Sequence, residues 1–402
     1  MSKIKLADRV TSIRVSPSTA AAQKVRDLQA EGRHIFNLTV GEPDFDTPDN
    51  VKAAAVKAME DGQTKYTPVN GTVELRKAIR HDFSTRLNID CTLDQICVGG
   101  GAKQVLFVAL MATVQAGDEV IVPTPYWVSY PDMVIANGGT PVIVSCGSDV
   151  GFKLTPDALE AAITPATKWV ILNSPSNPTG AAYTAEELRA LGQVLLKHPH
   201  VLVMCDEIYD RIWYADFDVC SILGVVPELK DQALVVNGVS KSYAMTGWRI
   251  GYGVGPQDLV NAINKLQSQM SSCPSSISQA AAAAALTEDQ SEVDRAVQVY
   301  RQRRDRAHEL INAIPGLECS LPDGAFYLYP NCAGMIGKTT PDGKMISNDL
   351  DFSLYLLDAA GVASVHGGAY GLEPYFRIST ATSMEVIEGA CAAIAKACAE
   401  LR

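Results

Sequence analysis

Short apolar runs rich in β-branched residues alternate with longer stretches of helical period through the middle of the chain. Residues 119–122, 169–173, 201–205 and 234–237 form four such runs, apolar without a polar alternate. That pattern predicts strands buried on both faces. Segments such as 184–197 lie between them and predict helices. Alternation of this kind predicts an α/β fold with a largely parallel sheet between helices. The run of alanines 280–285 follows Cys273-Pro274-Ser275-Ser276 and reads as a helix entry and a closely packed helix. From about Val299 a long charged helix leads into a smaller α+β region. There 324–329 and 375–378 read as strands, and 384–401 has helical period.

Composition narrows the class. The 402 residues are 47% hydrophobic and 20% charged, enough for one large domain and a smaller one, each with its own core. No apolar run reaches the roughly 18 residues of a spanning helix, and the first residues show no signal-peptide pattern. A cytoplasmic protein with no membrane partner is expected. Ten cysteines stand singly, with no CxxC pair, and predict reduced thiols rather than a disulfide framework. Six histidines show no HExxH spacing, and no metal site is expected. A net charge of −11 argues against a broad basic surface for nucleic acid. The densest basic run, Arg301, Arg303, Arg304 and Arg306, interleaves with Asp305 and Glu309 and reads as a solvated helix face.

Ligands of open α/β sheets bind beyond the carboxyl ends of the strands, and four polar clusters fall there. Gly99-Gly100-Gly101-Ala102-Lys103 follows an apolar run and opens a helix. It reads equally as a phosphate cradle on a helix N-terminus or as a plain tight turn. Asn173 to Gly180, with two prolines, is a rigid loop that holds Asn177, or simply good turn chemistry. Asp206-Glu207-Ile208-Tyr209 places a carboxylate at the end of a buried run. It serves either as a helix cap or as the partner of a cationic ligand group. In the stretch Gly238 to Gly251, Lys241 lies just past a buried run and shares a mostly small or apolar segment with Arg249. A lysine there is disfavoured unless neutralised or made covalent, and an imine does both. Alone, such a lysine is more often a surface residue.

Together, and in this chain order, the four clusters resemble the class I pyridoxal-5'-phosphate (PLP) dependent aminotransferases. Gly41-Glu42-Pro43, Pro125-Tyr126-Trp127, Asn177-Pro178-Thr179-Gly180 and Tyr375-Phe376-Arg377 are similar to further motifs of that family. The likeness runs from about Arg14 to the C-terminus. Gly41 to Pro48, Thr64-Lys65-Tyr66-Thr67, Pro125 to Pro131 and the segment 331–348 look like the bacterial subgroup Ib of aspartate aminotransferases.

The resemblance implies fold type I, with a mostly parallel seven-stranded sheet between helices. It implies an N-terminal arm and part of the small domain over 1–48, a large cofactor domain over 49–298 and a small α+β domain over 299–402. Lys241 would form the Schiff base and then act as acid and base. Asp206 would pair with the ring nitrogen, Tyr209 and Asn177 with the ring oxygen, and Trp127 would stack on the ring. Gly101, Ala102, Lys103, Ser240, Arg249 and Tyr66 would hold the phosphate, Tyr66 reaching in from a second subunit of a homodimer with shared sites. Arg377 would clamp the α-carboxylate of an amino acid or 2-oxo acid, assisted by Asn177, Trp127 and the Gly41 backbone. The enteric-type enzymes use an arginine for the second carboxylate of aspartate, where this chain has Gln269-Met270-Ser271-Ser272. Lys103 matches the lysine of subgroup Ib at that task. Ser16 stands where relatives that accept prephenate carry lysine. The expected activity is aspartate:2-oxoglutarate amino transfer, with an aromatic, prephenate or broad-range aminotransferase, or a PLP lyase, as alternatives.

Overall fold

The four apolar runs fold as strands, and three more strands join them. In chain order they are β1 (Ile96–Gly99), β2 (Glu119–Thr124), β3 (Thr140–Ser145) and β4 (Thr167–Asn173), then β5 (Leu202–Asp206), β6 (Ala233–Gly238) and β7 (Gly251–Val254). They form one seven-stranded sheet in the order β1-β7-β6-β5-β4-β2-β3. Strands β3, β2, β4, β5 and β6 run parallel, and β7 runs antiparallel to both β6 and β1. The computed structural model describes residues 4–13 and 17–402, without the side chains of 17–22. Arg14 and Ser16 lie outside the described residues.

Side chains alternate across a strand, and here both alternates are buried. Ile121, Val170, Leu172, Val203, Cys205 and Val235 enter one core, with residues of the helices Val73–Leu87 and Ser276–Thr287. Val120, Val122, Trp169, Ile171, Met204, Leu234 and Val236 enter the opposite core, with the helices Ala102–Thr113 and Gln257–Met270. Two covered faces explain why the strands lack a polar alternate. The predicted alanine helix is Ser276–Thr287; Ser275 caps it, and its small side chains let it pack on Asp49–Glu60. The predicted helix over 184–197 is Ala185–Leu195, started by a reciprocal pair of hydrogen bonds between Thr184 and Glu187.

A third core gathers the C-terminal region, with Ala307, Ile311, Phe352, Phe376 and Ile394, and takes Leu38 from the N-terminal side. Phe36–Asn37 pairs in parallel with Val362–Ala363. Val365–His366, Phe376–Ser379 and Tyr327–Leu328 form a three-stranded antiparallel sheet. The predicted strand over 324–329 shrinks to its Tyr327–Leu328 core. Ala325 takes φ +58, and Gly324 lies so close to Pro175 and the Ile212 carbonyl that a Cβ would meet them at 2.5 and 2.6 Å. The long charged helix starts earlier than expected, at Ser291, where Asp289 accepts from the Ser291 N–H.

Two of the four arginines in the basic run on that helix do not lie on the solvated face its sequence predicts, whereas Arg306 does, pairing with Glu309 and Glu388. Arg303 and Arg304 are buried. Arg303 donates to Asp44 at 2.8 Å and lies over the rings of Phe45 and Tyr300. Arg304 donates to the Pro322 carbonyl at 2.7 Å and lies over Tyr214. Aromatic faces and fixed acceptors hold planar guanidinium groups that water would otherwise solvate. All ten cysteines are free, eight of them buried.

A second buried ionic group underlies the sheet edge. Asp82 receives hydrogen bonds from Arg86 and Arg211, and Arg86 also meets Asp210 at 2.5 Å. Asn237, at the end of β6, donates to the same Asp210 at 2.7 Å. Removing one partner of a buried pair leaves an uncompensated charge. Asp82→Ala is expected to lower unfolding stability by about 3–5 kcal/mol, read as a lower denaturant midpoint. A change below 1 kcal/mol, about the worth of an exposed pair, would show that the network contributes no more than surface ions do.

Candidate active site

Four strands end on the same edge of the sheet, and each delivers a polar group there. Asn173 is the last residue of β4, Asp206 of β5, and Ser240 and Lys241 follow β6. The turn after β1 leads into the helix Ala102–Thr113, whose first-turn N–H groups have no intrahelical acceptor. Gly101 takes φ +102, and a Cβ on it would meet Arg249 Nη2 at 2.3 Å. Gly251, at the start of β7, allows a still closer approach, since its Cβ would lie 2.0 Å from the Ala102 nitrogen. Those two glycines bring Arg249 against the helix start. Arg249 itself sits at φ +57 and donates to the Thr246 and Gly100 carbonyls at 2.8 and 3.2 Å.

These groups surround a cavity of about 700 Å³. Of the residues expected to form a site, Gly41, Ala102, Lys103, Trp127, Asn177, Asp206, Tyr209, Ser240, Lys241, Arg249 and Arg377 line it. Gly101 lies directly beneath Arg249 at its edge. Tyr66 does not line it; its side chain is 89% exposed in the single chain.

Lys241 Nζ donates to the Gly41 carbonyl at 2.5 Å. Burial lowers its pKa to about 8, helped by Arg377 and Arg249 and opposed by Glu42 and Asp206. Burial raises Asp206 to about 6, and hydrogen bonds from Tyr130 and the Ile208 N–H hold it from going higher. Arg377 donates to the Thr39 carbonyl at 2.6 Å and to Asn177 Oδ1 at 3.0 Å, and lies over the Tyr327 ring. Its buried Nε has no hydrogen-bond partner among the described residues. Lys103 Nζ stands 4.5 Å from the centre of the Trp127 ring, and burial and Arg249 lower its pKa.

Several site residues escaped sequence reading. Tyr130 OH donates to Asp206 Oδ2 at 2.8 Å, fully buried. Its signal was available: it lies three residues beyond Trp127, and the two rings meet edge to face at 5.3 Å. Tyr327 OH pairs with Tyr209 OH at 2.9 Å, and Thr39 supports Arg377 through its backbone; neither carries any local signature. Asn173 donates to the Asp206 carbonyl and accepts from the Asn177 N–H, both at 2.8 Å. His198 and His200 flank Pro199 and bond to Glu160 and the Thr164 carbonyl respectively. No group of three metal-ligating side chains occurs among the described residues.

The residues suit PLP. An amine held near neutrality, a carboxylate without a cationic partner and a helix N-terminus beside an arginine match its carbonyl, ring nitrogen and phosphate respectively. The Arg377 Nε is a donor without a partner among the described residues, and the missing Cβ atoms of Gly101 and Gly251 let Arg249 lie against a helix N-terminus, a pairing suited to an anion. A site of this kind at the carboxyl edge of this sheet defines a PLP-dependent transferase of fold type I. A family profile described as aminotransferase class I and II matches residues 33–394, and the chain belongs to that family. It is a transaminase, and its cofactor is pyridoxal phosphate.

The chain is 51% identical over 393 residues to a probable aspartate/prephenate aminotransferase of Rhizobium leguminosarum bv. phaseoli, covering 98% of each. It is 51% identical to an aspartate aminotransferase of Rhizobium meliloti (strain 1021), covering 98% of this chain and 96% of the other. The crystal structure of the aspartate aminotransferase from Rhizobium meliloti superposes with a TM-score of 0.97 at 50% identity, covering 99% of this chain and all of that one. An aspartate aminotransferase from Thermus thermophilus with maleate gives 0.92 at 38% identity, covering 98% and 100%.

Two outcomes follow from the electrostatics. The neutral amine is the nucleophile toward a carbonyl, so capture of added PLP by apoenzyme should accelerate as pH rises through about 8. A capture rate still climbing only above pH 10, as for an ordinary lysine, would contradict a depressed Lys241. Tyr130→Phe removes a bond that favours ionised Asp206, and should weaken PLP retention about tenfold, measured as the cofactor dissociation constant. Unchanged retention would make Tyr130 packing only.

Proposed function

We propose that this transaminase takes aspartate as amino donor and 2-oxoglutarate as acceptor in a ping-pong reaction through Lys241. The observation that carries the reading is one cavity lined by Lys241, Asp206, Arg249 and Arg377. It is supported by relatives at about half identity that are named aspartate or aspartate/prephenate aminotransferases. The Thermus structure solved with maleate, a four-carbon dicarboxylate, supports the same substrate class.

When bound, PLP supplies a carbonyl that takes the amino group and a ring that accepts electron density from Cα. The chain supplies the rest. Asp206, oriented by Tyr130, would pair with the ring nitrogen. Tyr209 and Asn177 would hold the ring oxygen, and Trp127 would stack on the ring. The Gly101, Ala102 and Lys103 backbone, Ser240 and Arg249 would hold the phosphate, with Tyr66 of a second copy. Arg377 binds the substrate α-carboxylate as a planar fork, with Asn177 and Gly41 beside it. Lys241 Nζ moves the Cα proton, which its lowered pKa suits near neutral pH. Lys103 serves the substrate's second carboxylate.

A homodimer in the cytoplasm completes this reading; the bare ring of Tyr66 suits cover by a second copy. So does a division into a large domain over 49–298 and a small one over 299–402 joined by part of 1–48, supported by their separate cores. Several relatives are named aspartate/prephenate aminotransferases, which favours prephenate as a second amino acceptor; Ser16 stands against it.

A panel of amino donors and oxo acids compared by kcat/KM tests the proposal. Aspartate with 2-oxoglutarate should lead, and Lys241→Ala should lose at least about a hundredfold in kcat. Phenylalanine above aspartate would move the assignment to an aromatic aminotransferase. Steady pyruvate and ammonia release without an oxo acid would move it to a lyase.

A further inference from the structure

Five cations line the cavity, Arg26, Lys103, Lys241, Arg249 and Arg377, against two carboxylates, Glu42 and Asp206. In the reading above, Lys241 carries the chemistry, Arg249 the phosphate and Arg377 the α-carboxylate. Lys103 stands over Trp127, close enough to Arg249 to feel its charge. Arg26 has no task.

Arg26 lies on the helix Pro17–Ala30. Val25 and Leu28 of that helix are buried in a small core with Ile35, Leu357 and Ala363, which fixes its rotation. Arg26 is one residue on from Val25, about 100° round the axis, and so reaches the cavity rather than the core. An arginine on an exposed helix face is ordinarily solvated and unremarkable. This one shares the cavity lining with Asn37 and Thr39, the segment whose Thr39 carbonyl supports Arg377. Its guanidinium donates to Gln23 Oε1 at 2.5 Å, and the Gln23 amide donates in turn to Asp27 at 2.7 Å. No carboxylate oxygen pairs with it among the described residues. A planar guanidinium with free N–H groups matches a carboxylate in a way a lysine ammonium does not.

We infer that Arg26 is a specificity-determining residue whose guanidinium takes the side-chain carboxylate of a dicarboxylic substrate bound in this cavity. The inference rests on the aspartate reading and deepens it. It also accounts for the surplus of positive charge, since a dianionic phosphate and two substrate carboxylates together call for more cations than a monocarboxylic substrate would.

The test compares holoenzyme and Arg26→Gln with aspartate, with alanine, and with succinate as an unreactive dicarboxylate followed by the cofactor's absorbance. Arg26→Gln should weaken succinate binding about tenfold, the effect of losing a charge-assisted hydrogen bond. Its kcat/KM for aspartate should fall at least about fivefold further than that for alanine. Equal losses for aspartate and alanine, or unchanged succinate binding, overturn the role of Arg26 while leaving aspartate turnover by the parent enzyme intact. A parent enzyme that neither turns over aspartate nor binds succinate overturns the dicarboxylate reading and Arg26 with it.

Discussion

A short chain of hydrogen bonds runs from the edge of the sheet to the C-terminal region, and the site depends on it. Asn173 binds the Asp206 carbonyl with one end of its amide and the Asn177 N–H with the other. Asn177 then accepts from Arg377, which also rests on the Thr39 carbonyl. Five residues from four segments are thereby held in mutual register, at a point where the apolar sheet stops. A substrate carboxylate bound to Arg377 would meet a side chain whose direction is set by β4 and β5.

Burial opposes the charges of Lys241, Asp206 and Lys103 in this cavity, and the chain uses that opposition. It lowers Lys241 to about 8 and raises Asp206 to about 6, so both move toward neutral pH. Tyr130 limits the rise at Asp206, and Glu42 limits the fall at Lys241. The Asp82–Arg86–Asp210–Asn237 network works differently: its charges are paired and buried behind the site. It ties the segment after β5, which carries Tyr209, to the end of β6, which leads into Lys241.

Legibility in the sequence followed from how local the cause was. Strands β2, β4, β5 and β6 were readable because a sheet covered on both faces demands apolar residues at consecutive positions. Lys241 and Asp206 stood out because a charge at the end of such a run is out of place, but each alone also had a plain structural reading, and only the full set of motifs with its family resemblance gave them an expected role. Arg303 and Arg304 misled for the opposite reason. Their interleaved acids imitate a solvated helix face, while the groups that bury them come from elsewhere in the chain: the Asp44 carboxylate, the Phe45 and Tyr214 rings and the Pro322 carbonyl. Arg26 gave no signal at all, since only the packing of Val25 and Leu28 turns it toward the cavity.

The sequence by itself determined the class of fold, the order of its strands and helices along the chain, and the identity of the groups that can form an imine and bind anions. Those properties are set by the period of apolar residues and by the chemistry of single side chains. Only the tertiary structure decided which strands are neighbours, that β7 runs against the rest, and that Gly251 approaches Ala102 closely enough to put Arg249 on a helix N-terminus. It also decided that Tyr130, Tyr327 and Arg26 line the cavity. Proximity between residues far apart in the chain is a property of packing, and no local pattern encodes it.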